Sequence, residues 1–331
     1  MVIRDWSSDV CSSDLLGYRA IIRLTNGSRI AALLALVLIA ANASFVIWTT
    51  SGLENPLFAL LIAALLLLAL RYIERNHTSF WYPLGAALIV FAAALTRPDG
   101  LAYALIFPFV IILRPFSMTG ELVGRKLSHL LQYALYLGAF AAAFLYFRQW
   151  YFSDWLPNTY YAKGGPEQRF LVPALTLQGD FLAKARELSS SLFGDPWWAV
   201  SVILLFALVV TLLARVIRVR PVLVAAAFVF VAYFVHLIMP NDWMGEFRFA
   251  TPFFLLFYAL VGSVLYLWIN SITTTRRMLN ILLIACGALL LWGTIHEHHP
   301  RYRAARLQPP MPFEIVAAEY AFRYDNYAVA L

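Results

Sequence analysis

The sequence predicts an all-α polytopic membrane protein, and three observations carry that prediction. Of its 331 residues, 62% are hydrophobic and only 13% are charged, whereas about 25% of residues are charged in an average soluble domain. The mean hydropathy is +0.73. The apolar residues also fall into runs close to the roughly 20 residues that a helix needs to cross about 30 Å of hydrocarbon.

These apolar runs predict about nine transmembrane helices. The spans are expected near residues 30–49, 55–71, 80–96, 100–113, 129–147, 197–213, 221–239, 252–270 and 278–295. The opening stretch MVIRDWSSDVCSSDL is rich in serine and aspartate and has no apolar run of the signal-peptide kind. It resembles a translated sequencing adapter, and residues 1–15 are therefore predicted to be a non-native leader.

Basic residues gather at alternate joints between the predicted spans. They are Arg19, Arg23, Arg29, Arg71, Arg75, Arg114, Arg125, Lys126, Arg215, Arg218, Arg220, Arg276 and Arg277. Because cytoplasmic loops carry an excess of lysine and arginine, these joints are predicted to lie in the cytoplasm. The net charge of +7 comes largely from these anchors, so it does not indicate a nucleic-acid partner.

Four polar stretches fall on the opposite side. They are TSGLENP at 50–56, TRPDG at 96–100, LPNTYYAKGG at 156–165 and NDWMGEFRF at 241–249. Charges so close to hydrocarbon are expensive, and they are usually paired or functional. We expect the four stretches to meet in one outward-facing hollow that binds an anionic, hydroxyl-rich ligand.

Ten residues in these stretches are the candidate substrate-binding residues. They are Glu54, Arg97, Asp99, Asn158, Tyr160, Tyr161, Lys163, Asp242, Trp243 and Arg248. Simpler interpretations exist for several of them. Asp99 could cap a helix beginning at Leu101, Arg97 could extend to the membrane interface, and Glu54 could interact with a helix dipole.

Two further patterns concern the outer side. Phe181, Ala185, Leu188 and Leu192 recur at helical spacing, which predicts an amphipathic helix on the membrane surface above the hollow. The run HEHH at 296–299 is predicted to be a solvated helix end rather than a metal site, and no metal-binding residues are assigned.

The four polar stretches, in this order, resemble the signatures of GT-C membrane glycosyltransferases, and the similarity runs from about residue 16 to residue 330. The nearest branch is the terminal arabinofuranosyltransferases of mycobacterial cell walls and their bacterial relatives. The resemblance implies a polytopic enzyme of the bacterial inner membrane with its active site facing the periplasm. Such an enzyme transfers a sugar from a polyprenyl-phosphate donor to a cell-envelope glycan acceptor.

The resemblance also divides the chain and assigns roles. Residues 16–299 are expected to form the glycosyltransferase domain, incomplete at its N-terminus, and residues 300–331 the start of an extracytoplasmic region. The family's catalytic aspartate lies in its first outside loop, which is expected upstream of this chain. A departure occurs at PNDWM, 240–244, where relatives tend to read Gly-Gly-Asp.

The chemistry of the proposed transfer indicates what each group would do. Lys163, Arg248 and Arg97 would stabilise the leaving phosphate. Glu54, Asp99 and Asp242 would bind sugar hydroxyls or a divalent cation, and Tyr160, Tyr161 and Trp243 would offer ring faces. Two alternatives stay open: a lipid-linked sugar transporter or flippase, and a lipid-linked glycan polymerase or ligase.

Overall fold

A computed structural model describes residues 7–50, 53–74, 79–114, 120–155, 179–193, 219–239, 247–273 and 275–307. All regular elements within these residues are helices. The α-helices are α1 Ser7–Leu24, α2 Arg29–Ala41, α3 Ala43–Thr50, α4 Asn55–Glu74, α5 Trp81–Thr96, α6 Ile106–Leu113, α7 Gly120–Phe152, α8 Gly179–Phe193, α9 Val219–Ile238, α10 Thr251–Ile272 and α11 Arg276–Leu307. Two 3-10 helices, Pro98–Leu105 and Arg248–Ala250, precede α6 and α10.

Five helices in the described part of the chain are long and apolar enough to cross a membrane: α4, α7, α9, α10 and α11. The count becomes six if α2 and α3 are taken as one bent span. This agrees with the predicted class, an all-α membrane protein. The helices at 81–96 and 98–113 are shorter apolar helices, and the predicted span at 197–213 lies outside the described residues, so the count of nine stays a prediction.

Helices α4 and α10 form the interior of the bundle, and α7 lies at its edge. The most apolar 18-residue window is 67% buried in α4 and 78% buried in α10, but only 6% buried in α7. Helix α4 packs against α1, α5, α9 and α10. Its leucine, alanine and phenylalanine side chains therefore meet protein on several sides, whereas the apolar side chains of α7 are suited to lipid.

The bundle has two chemically different ends. Glu54, Arg97 and Arg248 lie together at the start of α4, which we call the outer end. At the opposite end, which we call the inner end, Arg23 forms an ion pair with Glu74. The distance from Arg23 Nη1 to Glu74 Oε2 is 2.6 Å. Helix α4 has 20 residues, so the two ends are about 30 Å apart.

Helix α1 runs through the boundary predicted at residue 15. Ser13 on one side of that boundary and Ala20 and Ile21 on the other are all buried, and α1 packs chiefly against α4. The assignment of residues 1–15 to a non-native leader stays a prediction, since helix formation does not report on a segment's origin.

The span predicted at 30–49 is broken, because α2 and α3 meet at an angle of 75°. Asn42 lies at the break, where its backbone is extended. Its Oδ1 accepts from the Phe45 amide at 2.9 Å and so caps α3. Its Nδ2 lies 3.4 Å from the Tyr258 hydroxyl and 3.1 Å from His298 Nε2.

His298 is therefore part of the core. Its exposed fraction is 1%, so the prediction of a solvated end for the whole run 296–299 is wrong at this residue. The Tyr258 hydroxyl donates to the Leu192 carbonyl at 3.1 Å, which extends the contact to α8. The Asn42 amide thus contacts α3, α10 and α11 directly and reaches α8 through Tyr258. These contacts give the buried polar groups at the break the partners that they require.

Replacing Asn42 with alanine is expected to lower the free energy of unfolding by about 2–3 kcal/mol, since the variant loses a helix cap and leaves buried polar groups with fewer partners. Unfolding in mixed micelles by SDS titration measures this. Ser28, which caps α2 through the Ala31 amide at 3.3 Å, is the matched control. Ser28→Ala should cost about 1 kcal/mol, and equal losses would contradict a role for Asn42 beyond capping.

Residues 181–192, which predict an amphipathic helix, lie within α8, and the place of this helix on the membrane surface above the hollow stays a prediction. Leu188 and Leu192 are buried, as the helical spacing predicts. Lys184 donates from Nζ to the carbonyl of Met239 at 2.7 Å, just beyond the end of α9, and the Tyr233 hydroxyl donates to the Ala185 carbonyl at 3.1 Å. Helix α8 is thus attached to the outer half of α9 by polar contacts, and it also packs against α11.

Candidate functional site

The polar cluster at the outer end comes from three separate stretches of sequence. Glu54 directly precedes α4, and its carbonyl accepts the first helical hydrogen bond from Phe58 at 3.0 Å. Arg97 lies between α5 and the following 3-10 helix, and Asp99 lies in the first turn of that helix. Arg248 begins the short 3-10 helix that leads into α10.

The sequence TRPDG accounts for the sharp break after α5. Pro98 disfavours a helical conformation at the residue before it, and Arg97 is accordingly extended, with φ −149° and ψ 134°. Gly100 then packs directly on the backbone of α5, where a Cβ atom would lie 2.5 Å from the Ala93 carbonyl carbon and oxygen. A glycine is therefore required for this close approach.

Arg97 is buried and fully engaged. Its Nε and Nη2 donate to the two carboxylate oxygens of Asp99 at 3.0 and 3.2 Å, which is the bidentate geometry that suits a guanidinium. Its Nη1 donates to Asn55 Oδ1 at 2.8 Å. The guanidinium carbon also lies 5.2 Å and 4.7 Å from the ring centres of Phe58 and Phe249, within the range of cation–π attraction.

Arg248 and Glu54 form a second, more accessible pair. Arg248 Nη2 lies 2.8 Å from Glu54 Oε1, and Arg97 Nη1 lies 3.7 Å from the same oxygen. The Arg248 guanidinium carbon is 5.9 Å from the Trp48 ring centre. Glu54 therefore connects both arginines, and α3 supplies an aromatic wall beside Arg248.

Exposure separates the two pairs. The side chains of Arg97 and Asp99 are each 4% exposed, whereas those of Glu54 and Arg248 are 30% and 16% exposed. Formal charges of two guanidinium groups and two carboxylates cancel within the cluster. A ligand arriving from solution thus meets Glu54 and Arg248 first, while Arg97 and Asp99 hold the surrounding helix ends in place.

The structure brings together four of the ten candidate residues: Glu54, Arg97, Asp99 and Arg248. The other six, Asn158, Tyr160, Tyr161, Lys163, Asp242 and Trp243, lie outside the described residues. These four therefore lie together, whereas the expectation that all four stretches meet in one outward-facing hollow stays a prediction. Two simpler interpretations are wrong, because Asp99 is not the helix cap and Arg97 is buried rather than extended to the interface.

Three neighbours of the cluster were not among the sequence candidates. Asn55 is fully buried, and its Nδ2 has no hydrogen-bond partner among the described residues. Trp48 and Phe249 supply ring faces to the arginines. Asn55 and Phe249 each adjoin a candidate in the quoted stretches, so their position in the sequence could have indicated them. Trp48 could not be found in this way, because it reaches Arg248 only through the helix break at Asn42.

The carboxylates of the cluster are arranged to bind arginine. Within the described ranges, no group of three or more histidine, cysteine, aspartate or glutamate side chains is placed to bind a metal. Both Asp99 oxygens accept from Arg97, and Glu54 Oε1 accepts from Arg248. A divalent cation would have to compete with these guanidinium groups for the same oxygens.

Comparison of the chain with protein-family models, curated proteins and solved structures gives no match. The helices and the ion pairs by themselves define the class: an all-α membrane protein with a compact polar cluster at one end of its helical bundle.

Proposed function

We propose that this chain is a membrane glycosyltransferase domain that binds a polyprenyl-phosphate sugar at the outer end of its bundle. The supporting observation is the meeting of Glu54, Arg97, Asp99 and Arg248 from three distant stretches of sequence. Groups of this kind near hydrocarbon are expensive and are typically functional. The outer end is proposed to face the periplasm, since the basic anchors lie at the inner end.

In this proposal, Arg248 stabilises the phosphate that leaves. An acceptor hydroxyl attacks the anomeric carbon and forms a new carbon–oxygen bond. The bond between the anomeric carbon and the phosphate oxygen breaks, and its electron pair stays on that oxygen. The hydroxyl proton passes to a carboxylate base, a role that the resemblance gives to an aspartate in the family's first outside loop. A guanidinium held in place beforehand favours the developing charge because it needs no reorganisation.

Glu54 and the buried pair have supporting roles. Glu54 fixes the orientation of Arg248 at 2.8 Å, and its exposed part is available to a sugar hydroxyl. Arg97 and Asp99 join the start of α4 to the end of α5, so they act on the ligand only through the positions of these helix ends. We therefore assign them positioning roles rather than contact with the donor.

A lipid-linked sugar transporter is the second candidate, and one observation favours it. Broken helices are common at transporter binding sites, and α2 and α3 form such a break, with a bend of 75°. Transporter sites, however, lie near the middle of the membrane, whereas the charged cluster here lies at the end of α4. The glycosyltransferase is therefore preferred.

One assay separates the two candidates. The protein is reconstituted in vesicles with a radiolabelled polyprenyl-phosphate sugar and a glycan acceptor. Appearance of label in the acceptor supports transfer. Movement of intact labelled lipid between leaflets without any bond change would support the transporter and contradict the enzyme.

Arg248→Gln is expected to weaken binding of polyprenyl phosphate by about 10- to 100-fold, since a hydrogen bond to a charged group is worth roughly 1.5–3 kcal/mol. A scintillation proximity assay with labelled polyprenyl phosphate measures the affinity. Arg148→Gln is the matched control, because Arg148 is outside the cluster and contacts Phe144, Phe152 and the Trp155 carbonyl. Equal losses in both variants would contradict the assignment.

Glu54→Gln sharpens this test. The substitution removes a negative charge 2.8 Å from the Arg248 guanidinium, so the affinity for polyprenyl phosphate itself should be maintained or increased. Sugar transfer should fall, because Arg248 loses its orienting partner. A loss of phosphate affinity equal to that of Arg248→Gln would place the phosphate elsewhere.

A further inference from the structure

The bend between α2 and α3 directs one stretch of the chain toward Arg248. Trp48 lies on α3, and its ring centre is 5.9 Å from the Arg248 guanidinium carbon. Helix α3 ends at Thr50, and Glu54 follows shortly after it in the sequence. Glu54 Oε1 lies 2.8 Å from Arg248 Nη2. Two of the groups that contact Arg248 therefore come from the stretch that begins directly after the bend.

The side chain of Asn42 sets the direction of α3. The two helices meet at 75°, and Asn42 is fully buried at the bend. Its Oδ1 accepts from the Phe45 amide at 2.9 Å, which caps the first turn of α3. Its Nδ2 lies 3.1 Å from His298 Nε2 on α11 and 3.4 Å from the Tyr258 hydroxyl on α10. One side chain therefore joins the start of α3 to two other helices.

Helix α10 lies opposite both ends of α3. Tyr258 lies within α10, and Arg248 lies in the short 3-10 helix that leads into it. The start of α3 is attached to α10 through Asn42 and Tyr258, and the end of α3 reaches Arg248 through Trp48. Asn42 and Trp48 are about 9 Å apart along a helix, so a rotation of roughly 20° at Asn42 would move the ring by about 3 Å. A rotation away from Arg248 would take the ring out of cation–π range, which ends near 6 Å.

The surroundings of Trp48 favour a role in holding Arg248. Trp48 is only 5% exposed, and cation–π attraction is stronger where the groups are shielded from water. The Arg248 side chain keeps 16% of its surface exposed, so it stays accessible while the ring lies beside it. An arginine that is already ordered binds an anion at a smaller cost in conformational freedom.

We propose that Asn42 is a positioning residue for Arg248 and that it acts through Trp48. Asn42 holds α3 at the angle that brings the Trp48 ring beside the guanidinium group, and the ring restricts the orientations of Arg248. Asn42 itself is buried and does not contact the ligand. The proposal rests on the proposed function for the identity of that ligand, a polyprenyl phosphate.

The affinity for polyprenyl phosphate, measured by scintillation proximity, tests the role of Asn42. Asn42→Ser retains a favoured capping group, but its shorter side chain cannot keep the contacts with α10 and α11. The variant is expected to bind about 3- to 10-fold more weakly, the effect of losing the order of one long side chain. Ser28→Ala, at the other end of α2, is the control and should leave the affinity unchanged. An unchanged affinity in Asn42→Ser would overturn the proposal.

A double-mutant cycle shows whether Asn42 acts through Trp48. Trp48→Leu removes the ring and should weaken binding by a similar factor. The double variant Asn42→Ser with Trp48→Leu should bind within about twofold of Trp48→Leu alone, because coupled residues are not additive. Losses that multiply in full would overturn the proposal, since they would mean that the two residues act independently.

A measurement without ligand separates this proposal from the proposed function. Fluorine NMR of the protein labelled with fluorotryptophan reports on its ten tryptophans, and Trp48→Phe identifies the Trp48 resonance by its loss. Asn42→Ser and Arg248→Gln should each shift this resonance, and Ser28→Ala should not. These shifts in a protein that binds no polyprenyl phosphate would contradict the proposed function alone. An unshifted resonance in Asn42→Ser would overturn the positioning role.

Discussion

Replacing Arg97 with leucine is expected to lower the free energy of unfolding by about 3–5 kcal/mol, because the substitution leaves the carboxylate of Asp99 buried without its cation. Asp99 is only 4% exposed, and both of its oxygens accept from Arg97. Asn55 would also lose the donor to its Oδ1. SDS titration in mixed micelles, followed by circular dichroism, measures the change.

Two companion variants identify the cause. Arg277→Leu makes the same replacement at an exposed arginine and should change stability by less than about 0.5 kcal/mol. The double variant Arg97→Leu with Asp99→Leu should recover at least half of the loss, since a buried ion pair can be replaced by apolar groups at little cost. A double variant no more stable than Arg97→Leu would mean that the unpaired carboxylate is not the source of the instability.

Gly100→Ala is expected to cost roughly 3 kcal/mol or more, at the upper end of the range for overpacked positions. The new Cβ would lie 2.5 Å from the carbonyl carbon and oxygen of Ala93 and 2.8 Å from the Ala94 nitrogen. These are backbone atoms of α5, so they cannot move aside as a flexible side chain would. The 3-10 helix would have to shift, and Asp99 would shift with it.

Gly138→Ala is the control for this second prediction. Gly138 lies within α7, and a Cβ there would have no heavy atom within 4 Å. Alanine should stabilise the helix by about 0.5–1 kcal/mol, because glycine loses more conformational freedom on folding. The stabilities of both variants are read from the same SDS titration, and a Gly100→Ala protein as stable as the parent would contradict the close packing of TRPDG on α5.

The sequence predicts the class of the fold well, for reasons that are local. In lipid, a continuous apolar run of membrane-spanning length satisfies its backbone hydrogen-bonding groups by forming a helix. All regular elements of the described chain are helices. The end of a helix was predicted where a proline marks it. The helix α5 ends before Arg97, because Pro98 disfavours a helical conformation at the residue before it. The break at Asn42 was not predicted, since one asparagine in an apolar run is compatible with a continuous helix.

Partners were harder to predict than positions. In the stretch TRPDG, Arg97 and Asp99 are two residues apart, and in the structure they form an ion pair. The contact between Glu54 and Arg248 joins residues 194 positions apart, and the sequence only indicated that both belong to the same side. His298 was expected in solvent, but its contact with Asn42 depends on how α11 packs beside α3.

The sequence by itself determined that the chain has an apolar helical bundle with basic residues at one end and mixed charges at the other. Hydropathy and charge act locally along each helix, so they can be read from the order of residues. Only the tertiary structure decided which charges pair, which of them are buried and which face water. Those outcomes depend on side chains from distant helices meeting within about 3 Å, the range over which hydrogen bonds form.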